Sequence, residues 1–90
     1  LSEMEKAQHY LSEFVVYPNP TSHSLNLELL SISEKLLNFR VYNSSGQIFQ
    51  QGVWKVTPGK NQKEIYTFDL SPGNYFINIQ GHVAEFVVIN

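Results

Sequence analysis

Residues 70–90 limit what this chain can fold into more than any other stretch. Leu70-Ser71-Pro72-Gly73-Asn74 reads as a turn leading into Tyr75-Phe76-Ile77-Asn78-Ile79-Gln80. Gly81-His82 follows, and then the run Val83-Ala84-Glu85-Phe86-Val87-Val88-Ile89-Asn90. Two β-rich runs split by two residues with glycine first predict a tight hairpin of type II′, with Gln80 facing Val83. In that register Ile79 meets Ala84, Ile77 meets Phe86 and Tyr75 meets Val88 on one apolar face. The other face is mixed: Gln80 with Val83, Asn78 with Glu85, Phe76 with Val87. Two strands cannot shield an apolar face alone, so the preceding strands are expected to cover it.

Those strands are visible upstream. Phe14-Val15-Val16-Tyr17 is a short apolar strand, stopped by Pro18-Asn19-Pro20 because neither ring nitrogen can donate to a ladder. Leu25, Leu27 and Leu29 alternate with Asn26 and Glu28, which gives a strand one buried face. Leu37, Phe39 and Val41 alternate likewise with Asn38, Arg40 and Tyr42. Asn43-Ser44-Ser45-Gly46 suits a type I turn with Gly46 left-handed, closing a three-residue loop. That loop sets Val41 against Phe49; a two-residue loop would set it against Gln50, and the first register is preferred. The return strand, Gln47 to about Trp54, is interrupted by Gly52, expected to mark a bulge or an edge. Residues 56–62, with Pro58-Gly59, read as a loop, after which Tyr66, Phe68 and Leu70 alternate with Thr67 and Asp69.

About seven short strands, with turn signals every ~8–12 residues, predict an all-β fold: one Ig-like antiparallel β-sandwich. Residues 1–13 stand apart. Leu1, Met4, Leu11 and Phe14 recur at roughly helical spacing, and Ser2 with Glu5 matches a capping box. A short N-terminal helix fits them, and so does a linker or the tail of a preceding domain. The sandwich is accordingly placed at residues 14–90.

Several functions fall away on composition. Six basic against eight acidic residues, a net charge of −2, give no basic footprint for nucleic acid. No apolar run approaches the ~20 residues of a membrane-spanning helix. With no cysteine there is no disulfide and no thiolate. The sequence starts at Leu1 without a basic-then-apolar leader, so a fragment of a longer protein is expected, any signal peptide lying outside it.

No catalytic, metal-ligating or cofactor-binding residue is assigned, and a non-enzyme is expected. His9, His23 and His82 fall in a tail, a turn and a hairpin tip, without partners at metal-ligand spacing. Asp69 suits a hydrogen-bond acceptor at a strand end better than a base, and no Gly-x-Ser-x-Gly elbow accompanies the serines. Asn43-Ser44-Ser45 matches a glycosylation sequon by chance, and Pro20 disqualifies Asn19-Pro20-Thr21. Lys55, Lys60 and Lys63 gather around one expected loop, which reads as an ordinary solvated loop in preference to an anion or lipopolysaccharide contact. Trp54 with Phe49 or Phe76 would make a sugar-stacking platform, but aromatics on short strands more commonly fill a core.

The last strand is the more informative feature. At the end of a sheet, residues 83–89 would offer unpaired backbone groups with Glu85 as their one charge. Natural edges are usually blunted by lysines, prolines or bulges. An unprotected one is expected to be packed inside the sandwich or kept for strand addition, by a partner or as an edge-strand dimer.

Three landmarks occur in order: Tyr17-Pro18-Asn19-Pro20, Val41-Tyr42-Asn43-Ser44-Ser45-Gly46-Gln47, and Asp69-Leu70-Ser71-Pro72-Gly73-Asn74-Tyr75-Phe76. With the apolar last strand, the chain from about Val15 onward resembles the C-terminal sorting domain of the type IX (Por) secretion system, type A family. The resemblance implies a seven-stranded Ig-like sandwich that serves as an address on a secreted bacterial protein. The parent would cross the inner membrane by its own signal peptide. Outer-membrane secretion machinery would then recognise the folded domain in the periplasm, and the cargo would reach the cell surface or the medium. In that family a surface sorting peptidase often removes the domain, so any cleavage here is expected near residues 1–14, and some cargo is joined to anionic lipopolysaccharide. The resemblance marks Pro18, Asn19, Pro20, Gly46, Gly73 and Tyr75 as landmark positions and residues 83–90 as the recognition end. Many members carry a basic residue near that end, whereas this sequence closes Glu85-Phe86-Val87-Val88-Ile89-Asn90.

The alternative from another class is an Ig-like or fibronectin-like binding or adhesion module attached to a secreted enzyme or adhesin. Continuation of the parent beyond Asn90, or glycan binding dependent on Trp54, would favour it.

Overall fold

The computed structural model describes residues 14–89, so the expected N-terminal helix or linker, His9 and Asn90 lie outside the described residues. Leu25, Leu27 and Leu29 point inward from β2 (Ser24–Ser31), and Leu37, Phe39 and Val41 from β3 (Lys35–Asn43), as their alternation requires. The remaining strands are β1 (Phe14–Tyr17), β4 (Ile48–Val56), β5 (Gly59–Tyr66), β6 (Gly73–Ile79) and β7 (His82–Val88). They form two antiparallel sheets, ordered β1-β2-β5 and β4-β3-β6-β7, which is the three-plus-four arrangement of an Ig-like sandwich. Between the sheets Leu25, Leu27, Val56, Ile77 and Phe86 are completely buried. Each such side chain contributes roughly 1.5–3 kcal/mol relative to exposure. Trp54, at 7% exposure, belongs to this core and not to a surface platform.

The C-terminal hairpin forms with a corrected turn. Ile79 pairs with His82, not Gln80 with Val83, and the two-residue loop is Gln80-Gly81. Both loop residues have positive φ, 51° and 90°, which makes the turn type I′ and not II′. Moving the turn by one residue slides each partner by two. Tyr75 therefore meets Phe86 and Ile77 meets Ala84, while both faces stay as expected. Asn78 favours this turn by accepting the Gly81 N–H on its Oδ1 at 2.8 Å.

The β3–β4 connection begins as expected. Asn43 Oδ1 accepts the N–H groups of Ser45 and Gln47, and Gly46 takes φ +86°, open to glycine at little cost. Tyr42 then faces Ile48, but Val41 faces Gln50 and not Phe49. Phe49 is the extra residue of a bulge, so the three-residue loop sets the register for one step and the bulge resets it. Gly52 carries no bulge; it lies on the edge strand, where a Cβ would come within 3.2 Å of the Phe39 ring.

β5 lies earlier in the chain than the alternation suggested. Residues 56–62 are not a loop: Thr57 and Pro58 alone connect β4 to β5. Asn61 closes that connection, accepting from the Thr57 N–H and donating to the Thr57 and Gly59 carbonyls. Pairing with all eight residues of β2 turns Asn61, Lys63 and Ile65 inward. Tyr66 and Phe68 are thus 60% and 64% exposed, and residues 67–70 turn instead of continuing the strand. Lys55 and Lys60 sit on strands, paired with Glu34 and Glu28, and Lys63 lies over the Phe39 ring.

Candidate functional site

β7 shows what its alternation implies. Phe86 and Val88 are buried, while Val83 and Glu85 face solvent and Val87 is half-buried. It pairs on one side with β6 and is the last strand of its sheet. In an antiparallel ladder alternate residues turn both backbone groups to the same side, so Val83, Glu85, Val87 and Ile89 present theirs outward. This is the edge that the sequence left open.

The structure covers most of it. Asn19 Oδ1 accepts the Val87 N–H at 2.9 Å, and its Nδ2 donates to the Glu85 carbonyl at 3.5 Å. The Thr21 N–H donates to the Val87 carbonyl and the Ile89 N–H to the Thr21 carbonyl, both at 2.8 Å, a one-residue parallel bridge. Asn19 and Thr21 therefore occupy the outward groups from the Glu85 carbonyl to the Ile89 N–H, and Val83 lies beyond their reach. The expectation of an unprotected edge is corrected to this extent. Pro18 and Pro20, each after a cis peptide, have no N–H, so the covering segment is itself a poor template for a further strand.

Thr21 anchors the segment. It is 1% exposed, its hydroxyl donates to the Ser24 carbonyl, and it lies 3.5 Å from the buried hydroxyl of Thr67, whose N–H donates to the His23 carbonyl. Neither threonine stood out in the sequence; the signal was a polar residue after Pro-Asn-Pro, which is too common to single out.

Tyr75 joins the site from β6. It stacks on Phe86 with centroids 5.8 Å apart, meets Phe49 edge-on, and donates its hydroxyl to the Ser71 carbonyl at 2.6 Å. A tyrosine near the start of this strand bonded to backbone four residues upstream is the tyrosine corner of Ig-like sandwiches. Its neighbour across the hairpin is Phe86, where the sequence reading had Val88. Gly73 opens β6, while Gly46 sits in the β3–β4 loop and makes none of these contacts with β7. The landmarks thus meet at β7 through Asn19 and Tyr75.

Beside β7, the solvent face of the sheet carries Phe76 stacked on Tyr42 at 5.6 Å, followed by Glu85 in the same cross-strand row. Arg40, Asn78 and Val83 form the next row. Phe76 is therefore on the opposite face from Trp54 and cannot share a platform with it.

On the other sheet Glu28 accepts the Tyr17 hydroxyl and pairs with Lys60 at 3.2 Å, and Gln62 donates to the Tyr17 oxygen at 3.2 Å. The Tyr17 hydrogen bond, then Lys60, hold the Glu28 carboxyl below its ordinary value, against a smaller upward push from burial. The same bond, with burial and the Glu28 charge, pushes the Tyr17 hydroxyl up.

A cavity of about 370 Å³ between the start of β3 and the β6–β7 turn is lined by Lys35, Leu36, Leu37, Ile79, Gln80 and His82. An imidazole and an amine without a carboxylate or nucleophile supply no catalytic pair. Among the described residues no cluster of three or more metal-ligating side chains occurs, and no helix is long and apolar enough to cross a membrane.

A family described as the secretion system C-terminal sorting domain, the Por secretion tail, matches residues 15–89. No curated protein matches the chain.

Proposed function

The chain belongs to the secretion system C-terminal sorting domain family of type IX (Por) secretion, and on that basis we propose that it is a non-catalytic address that carries a cargo protein through the outer membrane. Membership implies export to the cell surface or beyond and an encounter with the secretion machinery. The finer steps are our reading. The parent passes through the periplasm, residues 14–90 are the sorting unit, residues 1–13 are a linker or the tail of a preceding domain, and any cut by a sorting peptidase falls near residues 1–14.

The observation that carries this reading is the joining of the family's two ends in one structural unit, with Asn19 bonded to the backbone of β7. Because that segment occupies the outward groups from the Glu85 carbonyl to the Ile89 N–H, the machinery reads β7 through side chains: Val83, Glu85 and Val87 beside Phe76. Backbone pairing at the edge is confined to the Val83 end. With Glu85 between Val83 and Val87, the solvent face of β7 offers one acidic group in an apolar setting, which suits a partner with an apolar patch and a nearby cation.

Residues 14–90 fused to a periplasmic reporter in a host with this secretion system test the reading. Export of the fusion is expected, and loss of export from a folded Val83→Lys/Val87→Lys variant. Periplasmic retention of the folded parent fusion would refute the sorting role. Export by the double variant would refute the assignment of β7 side chains. Removal of residues 83–90 is expected to abolish export and folding together, because Phe86 and Val88 are core residues.

A further inference from the structure

β4 and β7 are the two outer strands of the four-stranded sheet, and residues 18–21 cover only β7. In the other sheet β1 is four residues long and runs into Pro18, and outer strand β5 carries Lys60, Lys63 and Glu64. Short length, proline and charge all deter strand addition. β4 has nine residues, no proline, and one charge, Lys55, near its end; its bulge at Phe49 lies at the other end and leaves residues 50–56 regularly paired.

Its backbone is turned the right way. Asn38 gives its N–H to Gln80 Oε1 and receives the Gln80 N–H on its carbonyl, so both its groups face β6. Its partner Val53 therefore directs its own groups away from the sheet, and by alternation so do Gln51 and Lys55. Along this side Val53, Ile48 and Phe49 are 57%, 46% and 42% exposed.

We propose that this edge pairs antiparallel with β4 of a second copy about Gly52, joining two four-stranded sheets into one. Gly52 places no side chain at the symmetry axis, where the two backbones approach most closely. Gln51 then faces Val53 of the other copy, and Lys55 comes opposite the bulge at its Phe49, where the regular ladder ends. The two Lys55 ammonium groups lie six residues apart along the strands, ~20 Å, well beyond the ~8 Å screening length at physiological salt. The same construction on β7 about Glu85 would set two carboxylates against each other. The charge pattern thus favours β4 and a second copy of this chain. The inference is independent of the sorting role.

Sedimentation velocity on the chain from about 10 μM to about 1 mM tests it, since one strand pair falls among small, weak interfaces. A shift from monomer to dimer is expected, with slowed amide exchange at Gln51, Val53 and Lys55 at the high concentrations. Val53→Pro removes an outward N–H without touching the β3–β4 ladder and weakens the dimer at least tenfold; Val53→Lys does the same and decides the matter if the proline variant unfolds. Val83→Pro, on β7, leaves the dimer intact. A monomer throughout the range, or a dimer dissolved by Val83→Pro and not by the Val53 variants, overturns the proposal.

Discussion

Gln80 and Asn38 are joined as two strand residues would be, except that one of the two acceptors is a side chain. The Gln80 N–H donates to the Asn38 carbonyl at 3.0 Å, and the Asn38 N–H donates to Gln80 Oε1 at 2.7 Å. The amide thereby extends the β3–β6 ladder one step past Ile79, while Gln80 pays for it with a left-handed backbone, φ 51°. Gln80→Ala loses the side-chain bond and keeps the unfavourable φ, so a loss of about 1 kcal/mol is expected in denaturant unfolding. Gln80→Gly loses the same bond but relaxes the backbone, and should cost less than alanine. Glycine proving worse than alanine would show that the turn conformation is not what limits this position.

Asn19 is expected to govern the order of β7 more than global stability. Asn19→Ala removes the acceptor for Val87 and the donor for Glu85, both on an exposed edge, so about 1 kcal/mol is at stake. The local effect is larger: the Val87 amide loses its partner, and its exchange with solvent should quicken at least tenfold. Asn19→Asp keeps the acceptor and should preserve most of the protection. Unchanged Val87 exchange in the alanine variant would mean that Thr21 alone holds the edge.

These two contacts show where sequence reasoning stopped. In β2 and β3 the inward residues are nearly all leucine, phenylalanine or valine, so alternation revealed both strands and their buried face. In β5 the inward set is Asn61, Lys63 and Ile65, and only pairing with β2 defines it. The local pattern at Tyr66, Phe68 and Leu70 therefore misled. The hairpin survived a wrong turn because a two-residue slide keeps side chains on their faces. The Asn19–Val87 bond spans 68 residues of chain, and no local periodicity reports a contact of that kind.

Tyr75 combines a buried ring with a bonded hydroxyl, and two substitutions separate them. Tyr75→Phe keeps the stack on Phe86 and deletes the bond to Ser71, for an expected loss of about 0.5–1.5 kcal/mol. Tyr75→Ala also empties the core beside Phe86 and Phe49, and about 3–5 kcal/mol is expected by analogy with other large core truncations. Thermal unfolding of the two variants checks the order. Equal losses would mean that the ring contributes nothing beyond its hydroxyl.

The Tyr17–Glu28–Lys60 network predicts a stability that declines at both ends of the pH range. Glu28 titrates lower in the folded chain than its ordinary 4.5, so the folded state releases this proton more readily. Its contribution is complete above about pH 4.5 and is lost as pH falls through the lower folded value. Tyr17 titrates above its ordinary 10.0, so its contribution is complete below about pH 10 and is lost as pH rises through the folded value. Tyr17→Phe should abolish the alkaline decline due to this pair. On the acid side it should flatten the decline without removing it, because Lys60 still faces Glu28 at 3.2 Å. Denaturant midpoints measured from acid to alkaline pH on both proteins decide this. Parallel acid limbs for Tyr17→Phe and the parent would show that the Tyr17 hydroxyl does not hold the Glu28 proton off.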